Sequence, residues 1–169
     1  DRLFDDFTFG WIADEIAPAQ EHLASGVIVR VLHRITEYRN NNGPTLVVAT
    51  LPGEMHGLGA QLTSSAAILE GWRVAHLGTD LPVGEIASTA ESLGAHSVAI
   101  SVTKGSNIEQ TANQLLELRK LMDQKVHLLV GGGSAHLLNL DQLPDGMFVI
   151  LKGLPGLREA LLKGAPSTV

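Results

Sequence analysis

The chain has 169 residues, 44% apolar and 18% charged, which suits one globular domain of ordinary size with a small appendage and excludes a disordered polymer. Its 12 Lys and Arg stand against 18 Asp and Glu, and the net charge of -6 offers no general counterion-releasing surface for a nucleic-acid backbone. With no cysteine, it has no disulfide, thiolate zinc site, iron–sulfur cluster or cysteine nucleophile. No apolar run approaches the roughly 20 residues that span a bilayer. The opening Asp1-Arg2-Leu3-Phe4 has neither a signal-peptide pattern nor an initiating Met, so a cytoplasmic fragment or processed chain is expected.

A short helix is expected around Trp11 to Ala17, broken or restarted at Pro18. Leu23, Val27, Val31 and Ile35 then recur every four positions, with Arg30, Arg34 and Arg39 off their stripe, the pattern of an amphipathic helix. The turn formers Asn40-Asn41-Asn42-Gly43-Pro44 divide a helical segment, 1–42, from a second domain, 43–169. Beyond them Thr45–Leu51, Arg73–Leu77, Ser97–Val102, Val126–Val130 and Met147–Leu151 are short apolar runs of the kind that form parallel strands covered on both faces. Helical stretches are expected near 57–71, 83–94, 107–123, 134–142 and 155–163. This alternation predicts an α/β, Rossmann-like domain with a five-stranded parallel sheet in the flavodoxin-like order. Ligands in such folds bind outside the carboxyl ends of the strands, so the loops after Leu51, Leu77, Val102 and Val130 are the places to search.

The first of these loops reads Pro52-Gly53-Glu54-Met55-His56-Gly57-Leu58-Gly59. Gly57-x-Gly59 falls short of a dinucleotide fingerprint because Leu62 stands where a third small residue is wanted. Glu54 and His56, two apart, suit a carboxylate that orients an imidazole and leaves the other ring nitrogen for a metal; His56 alone reads equally as a solvated loop histidine. Ser101 and Thr103 could bind a ligand or cap the following helix. Gly131-Gly132-Gly133 either lets a bulky group approach the backbone or makes a tight turn.

Taken together, Glu54-x-His56-x-x-Gly59, then 41 residues, Ser101-Val102-Thr103, then 27 residues, and Gly131-Gly132 resemble the cobalamin-binding motif D-x-H-x-x-G, S-x-L, GG of the base-off, His-on family. The resemblance covers residues 44 to about 163. It departs at Glu54, where the family has Asp, and at Thr103, where it has Leu. The resemblance implies that His56 coordinates cobalt from the lower face. It also implies that the displaced nucleotide tail runs in a channel beside the first strand, lined by Ser101, Thr103, Gly131 and Gly132. Gly59 would let the first helix of the domain start close to the corrin.

Upstream, Trp11, nine intervening residues and Glu21-His22 resemble the W-x9-E-H signature of light-dependent regulators of the CarH type. The runs Met55-His56-Gly57-Leu58-Gly59 and Leu77-Gly78-Thr79-Asp80-Leu81-Pro82 are similar to that subgroup as well. In it, Trp11 would pack on the adenosyl group of adenosylcobalamin while Glu21 and His22 hydrogen-bond around it. Taken by themselves, Trp11 reads as a core tryptophan and Glu21-His22 as a solvated helix start. Ile12 stands where those regulators carry a second, cobalt-capturing histidine, so that ligand is excluded here. Two helices cannot bury their apolar faces alone, so further N-terminal residues or a neighbouring chain should complete the bundle, and a homo-oligomer is expected.

The resulting expectation is a non-enzymatic adenosylcobalamin photosensory or regulatory module, with light cleaving the cobalt–carbon bond. The alternative is a methyl-carrying corrinoid protein of a methyltransferase system; the cofactor domain of a radical mutase is a weaker third reading. A second tetrapyrrole is not excluded. No membrane partner and no direct nucleic-acid binding by this fragment are expected, any DNA-binding or other output domain lying elsewhere. Of the other histidines, His76 and His127 are expected in core or ladder positions and His33 and His96 at the surface. His136 reads as a helix start or a contact to the cofactor tail, and Trp72 as packing.

Overall fold

A computed structural model describes residues 18–36, 41–103, 107–138 and 144–162. The chain divides into two units, Asp1–Glu37 and Tyr38–Val169. In the first, helix α1 spans Pro18–Thr36, and its last turn carries His33 and Arg34. The apolar stripe of Leu23, Val27, Val31 and Ile35 is exposed along its whole length. The expected short helix from Trp11 to Ala17 lies outside the described residues.

The second unit runs β1 (Thr45–Ala49), α2 (Leu58–Leu69), β2 (Arg73–Gly78), α3 (Val83–Ser92), β3 (Ser97–Ser101), α4 (Ile108–Leu121), β4 (His127–Gly131), a 3-10 turn (Ala135–Leu137), β5 (Met147–Val149) and α5 (Gly153–Leu162). All four strand pairs are parallel and the order is β2-β1-β3-β4-β5, the expected flavodoxin-like sheet. Side chains alternate across it with period two. Leu46, Val48, Ala99 and Leu129 face Ala60, Ala67, Trp72, Leu157 and Leu161 beneath α2 and α5. Val47, Ala49, Val98, Ile100, Leu128 and Val130 face Ile86, Ala90, Leu115 and Leu118 beneath α3 and α4. Both faces are thus covered, and every residue of β1 and β3 is buried. Each Leu or Val wholly withdrawn from water contributes about 1.5–3 kcal/mol before the entropy of ordering it. Trp72 is a packing residue, as expected.

Three expectations change. The run Arg73–Leu77 was expected to be covered on both faces, but β2 is an edge strand and both Arg73 and His76 are exposed. His76 takes the ladder position, paired with Val48, of the two expected for it; its Nδ1 lies 2.8 Å from Ser64 Oγ on α2. The helix expected over 134–142 is, among the described residues, only the 3-10 turn, because Leu138 swings to an extended conformation (φ -69°, ψ 133°) that ends the coil. The last strand stops at Val149 rather than Leu151. No described helix is long and apolar enough to cross a membrane.

Candidate functional site

The sheet order places β1 next to β3, and the crossovers from these two strands leave toward opposite edges. A crevice therefore opens between their carboxyl ends, where ligands of doubly wound sheets bind. The loop from Thr50 to Gly57 forms one wall and the end of β3 the other.

Local hydrogen bonds fix that loop. The fully buried Thr50 donates its hydroxyl to the Glu54 carbonyl at 2.6 Å and accepts from the Asp80 backbone N–H at 3.0 Å. The Asp80 carboxylate accepts from the Gly53 N–H at 2.7 Å. Asp80 sits at φ +58°, a left-handed conformation that Asp tolerates better than most residues. Thr50 and Asp80 were missed as clamps in the sequence; the turn signal Gly78-Thr79-Asp80 marked the place without revealing its partner.

Glu54 is buried and its carboxylate takes four donors. Oε1 accepts from the backbone N–H of His56 at 2.8 Å and from His56 Nδ1 at 2.7 Å. Oε2 accepts from the Thr103 N–H at 3.2 Å and, in a short bond, from the Thr103 hydroxyl. Thr103 Oγ1 is also 3.4 Å from His56 Nδ1. An ionised carboxylate only accepts, so Nδ1 carries the proton and the ring's lone pair resides on Nε2, the arrangement of a metal-binding imidazole with a carboxylate behind it. The His56 side chain is 56% exposed, against 8% for Glu54, so the ring stands out from a buried anchor. Met55 is exposed beside it, and Gly57 backs onto Thr79, whose Cγ2 would lie 3.1 Å from an added Cβ.

Thr103, expected to line a tail channel, belongs to this hydrogen-bonded group. It is two residues beyond Ser101, past the end of β3, and faces the Glu54 loop. Neither it nor Ser101 caps α4: that role falls to Asn107, whose side chain accepts from the Gln110 N–H at 3.1 Å.

A cavity of about 160 Å³ lies between α2, β3, β4 and α5, lined by Gly59, Ser101, Gly131 and Gly132 together with aliphatic residues such as Leu62 and Leu157. It flanks β3 and β4 rather than β1, because Ala60 and Ala67 of α2 close directly onto Leu46 and Val48. A Cβ on Gly59 would collide with Ser101 Oγ, so this glycine permits α2 to touch β3. Gly132 has φ +112° and a Cβ there would run into the Val102 carbonyl. Gly131 differs: an added Cβ would meet nothing nearer than Ile150 Cβ at 3.7 Å, an ordinary contact, so the missing side chain serves the cavity rather than the chain. Ser101 Oγ is buried with no hydrogen-bond partner among the described residues, a cost unless a ligand supplies one.

His22 is exposed on α1; Glu21 lies on the same helix with its side chain outside the description, and Trp11 and Ile12 fall outside the described residues. His136 is exposed in the 3-10 turn, and the exposed His96 accepts from the Thr45 N–H at 3.2 Å.

Among the described residues no three His, Asp or Glu are grouped to hold a metal ion. One imidazole with a carboxylate behind it suits a metal that brings its other ligands with it, and a cavity holding an unpaired hydroxyl suits an appendage of the same group. The residues fit a corrinoid. The B12 binding domain model matches residues 44–153. Dimethylamine corrinoid protein 1 of Methanosarcina mazei is 28% identical over 92 residues, which is 53% of this chain and 42% of that protein, so the chain spans about two fifths of its relative's length. The Methanosarcina barkeri monomethylamine corrinoid protein superposes with a TM-score of 0.67 at 15% identity, covering 92% of this chain and 76% of the other. The methanol:cobalamin methyltransferase complex MtaBC from Methanosarcina barkeri does so at 0.60 and 15%, over 95% of this chain and 63% of the other. At such identities the likeness to the solved structures is one of fold. With the match over residues 44–153, the chain belongs to the B12 binding domain family and is a cobalamin-binding protein.

Proposed function

We propose that the chain is the corrinoid-carrying part of a methyl-transfer system, with His56 as the lower ligand of cobalt. The observation that carries this reading is the Glu54 carboxylate held between His56 and Thr103, a built support for one metal-binding imidazole. The corrinoid proteins among its relatives favour a carrier over a sensor. Bound cobalamin would supply a cobalt centre able to accept and give up a methyl group. Glu54 keeps the proton on Nδ1 and directs Nε2 toward the metal; Thr103 holds the far carboxylate oxygen; the cavity beneath α2 and α5 takes the displaced tail and keeps its base from returning. The carrier docks with methyltransferase partners and is not itself an enzyme.

The test is a visible-absorbance titration of the apo-protein with methylcobalamin. The spectrum should move to that of an imidazole-ligated, base-off corrinoid, and His56→Ala should abolish the shift while circular dichroism stays unchanged. A variant spectrum identical to that of the parent protein refutes the ligand assignment.

One observation favours a second reading, an adenosylcobalamin sensor: the spacing of Trp11 from Glu21-His22. Under that reading adenosylcobalamin binds more tightly than methylcobalamin, Glu21→Ala removes the difference, and green light changes the spectrum and elution volume. Equal affinities and no light response leave the carrier.

A further inference from the structure

Three consecutive residues ahead of His56 are each held through the backbone by a side chain from a different part of the fold. The Gln114 amide on α4 donates to the Pro52 carbonyl at 3.2 Å. The Asp80 carboxylate, past the end of β2, accepts from the Gly53 N–H at 2.7 Å. The Thr50 hydroxyl, past the end of β1, donates to the Glu54 carbonyl at 2.6 Å, and the Asp80 N–H reaches that same carbonyl at 3.2 Å. Asp80 therefore grips the loop at two points, with an acceptor at Gly53 and a donor at Glu54. Its left-handed backbone, at φ +58°, accompanies both contacts. Packing leaves the loop room on the α4 side: a cavity of about 100 Å³ separates Pro52, Gly53 and Glu54 from Asn107 and Thr111. A segment with open space beside it is placed by its directional bonds rather than by close contact.

Resting on the corrinoid reading above, we propose that Asp80 is a positioning residue for cobalt ligation. From the neighbouring strand it sets where the Glu54–His56 pair stands, and so how much of the bound corrinoid carries the imidazole. A coordinating side chain has to be held to within about 0.5 Å of its bonding position. Thr103 anchors the Glu54 side chain, and Asp80 anchors the Glu54 backbone. With the second anchor gone, the loop can yield toward the cavity and take the His56 ring with it.

The experiment titrates the full apo-chain with methylcobalamin and reads both the affinity and the fraction of imidazole-ligated spectrum. Two variants divide the possible causes, with circular dichroism and thermal melting as the check on folding. Asp80→Asn keeps a side-chain oxygen for the Gly53 N–H and tolerates the left-handed backbone; Asp80→Gly keeps the backbone and loses the oxygen. Asp80→Asn should stay within about threefold of the parent affinity with a fully ligated spectrum. Asp80→Gly should bind about tenfold more weakly and show a mixture of ligated and unligated spectra. An Asp80→Gly protein with the affinity and spectrum of the parent overturns the proposal. So does an Asp80→Asn protein as impaired as Asp80→Gly, since the oxygen that holds Gly53 is still present; either result leaves the corrinoid assignment standing. A parent protein that binds methylcobalamin without an imidazole-ligated spectrum overturns the His56 assignment and this proposal together.

Discussion

Two neighbouring regions at the carboxyl edge of the sheet are built by opposite means. The His56 loop is held by groups that donate and accept: Thr50 and Asp80 fix the backbone, and Glu54 joins His56 to Thr103. The adjoining cavity is kept open by the side chain missing at Gly131, among aliphatic walls. Directional bonds set the orientation of a ligand; emptiness sets which volume fits. Damage to the first region should thus alter metal ligation with little loss of fold, whereas damage to the second divides sharply by position.

The largest effect expected is at Gly132. Gly132→Val forces a β-branched residue into φ +112° and drives its Cβ at the Val102 carbonyl, so stability to urea should fall by about 3 kcal/mol. Gly131→Ala, which meets nothing nearer than Ile150 Cβ at 3.7 Å, should change stability by less than about 1 kcal/mol while weakening corrinoid binding. Equal losses of stability at the two glycines would erase the distinction between chain and cavity.

Next comes Glu54→Gln. The amide oxygen can still accept from one side, but the amide nitrogen turned toward Thr103 cannot accept from its backbone N–H, and the Thr103 hydroxyl must turn from donor to acceptor. Cobalamin affinity should fall about tenfold, the effect expected for loss of a carboxylate behind a ligating histidine. The imidazole nitrogen shifts in apo-protein NMR should report loss of the single Nδ1–H tautomer; a preserved tautomer would show that Glu54 does not set it. Thr103→Val should cost about threefold in affinity, with Thr103→Ser restoring it, because one of the four donors to the carboxylate is removed and the backbone N–H remains. No rescue by serine would assign the loss to packing.

The smallest effect lies far from the site, at His127. Burial lowers its pKa below the ordinary value of about 6.5, and the charge of Arg119 lowers it further. The folded state thus binds fewer protons than the unfolded state in that range. The stability linked to this group is complete above about pH 6.5 and is lost as the pH falls through the depressed folded value. His127→Gln should flatten the change in melting temperature between pH 7.5 and 5.5; parallel curves for the two proteins would remove His127 from the account.

Much of the architecture was legible because burial leaves a pattern. Thr45–Ala49 and Ser97–Ser101 are continuous small and apolar runs, and both became central strands with every residue buried. Position within a sheet leaves no such mark. Arg73–Leu77 looked like its neighbours, yet β2 lies at the edge, and only its Arg and His hinted at that. The Glu54–His56 pair was legible because its partners are two residues apart. The contact of Thr103 with Glu54 was not, since it spans 49 residues and exists only because β1 and β3 lie side by side. Gly59 was expected to let the first helix of the domain start close to the corrin; what the structure shows beside it is Ser101 of the protein itself.

The end of β3 has one more consequence. Within three consecutive residues, Ser101 lines the cavity, the Val102 backbone ties to Gly131 and Ser134, and Thr103 holds Glu54. Anyone transplanting this site into another doubly wound sheet would have to move the Glu54–Gly59 loop and this tripeptide together. The loop alone would bring an imidazole without its brace, and the tripeptide alone a hydroxyl with nothing to receive it.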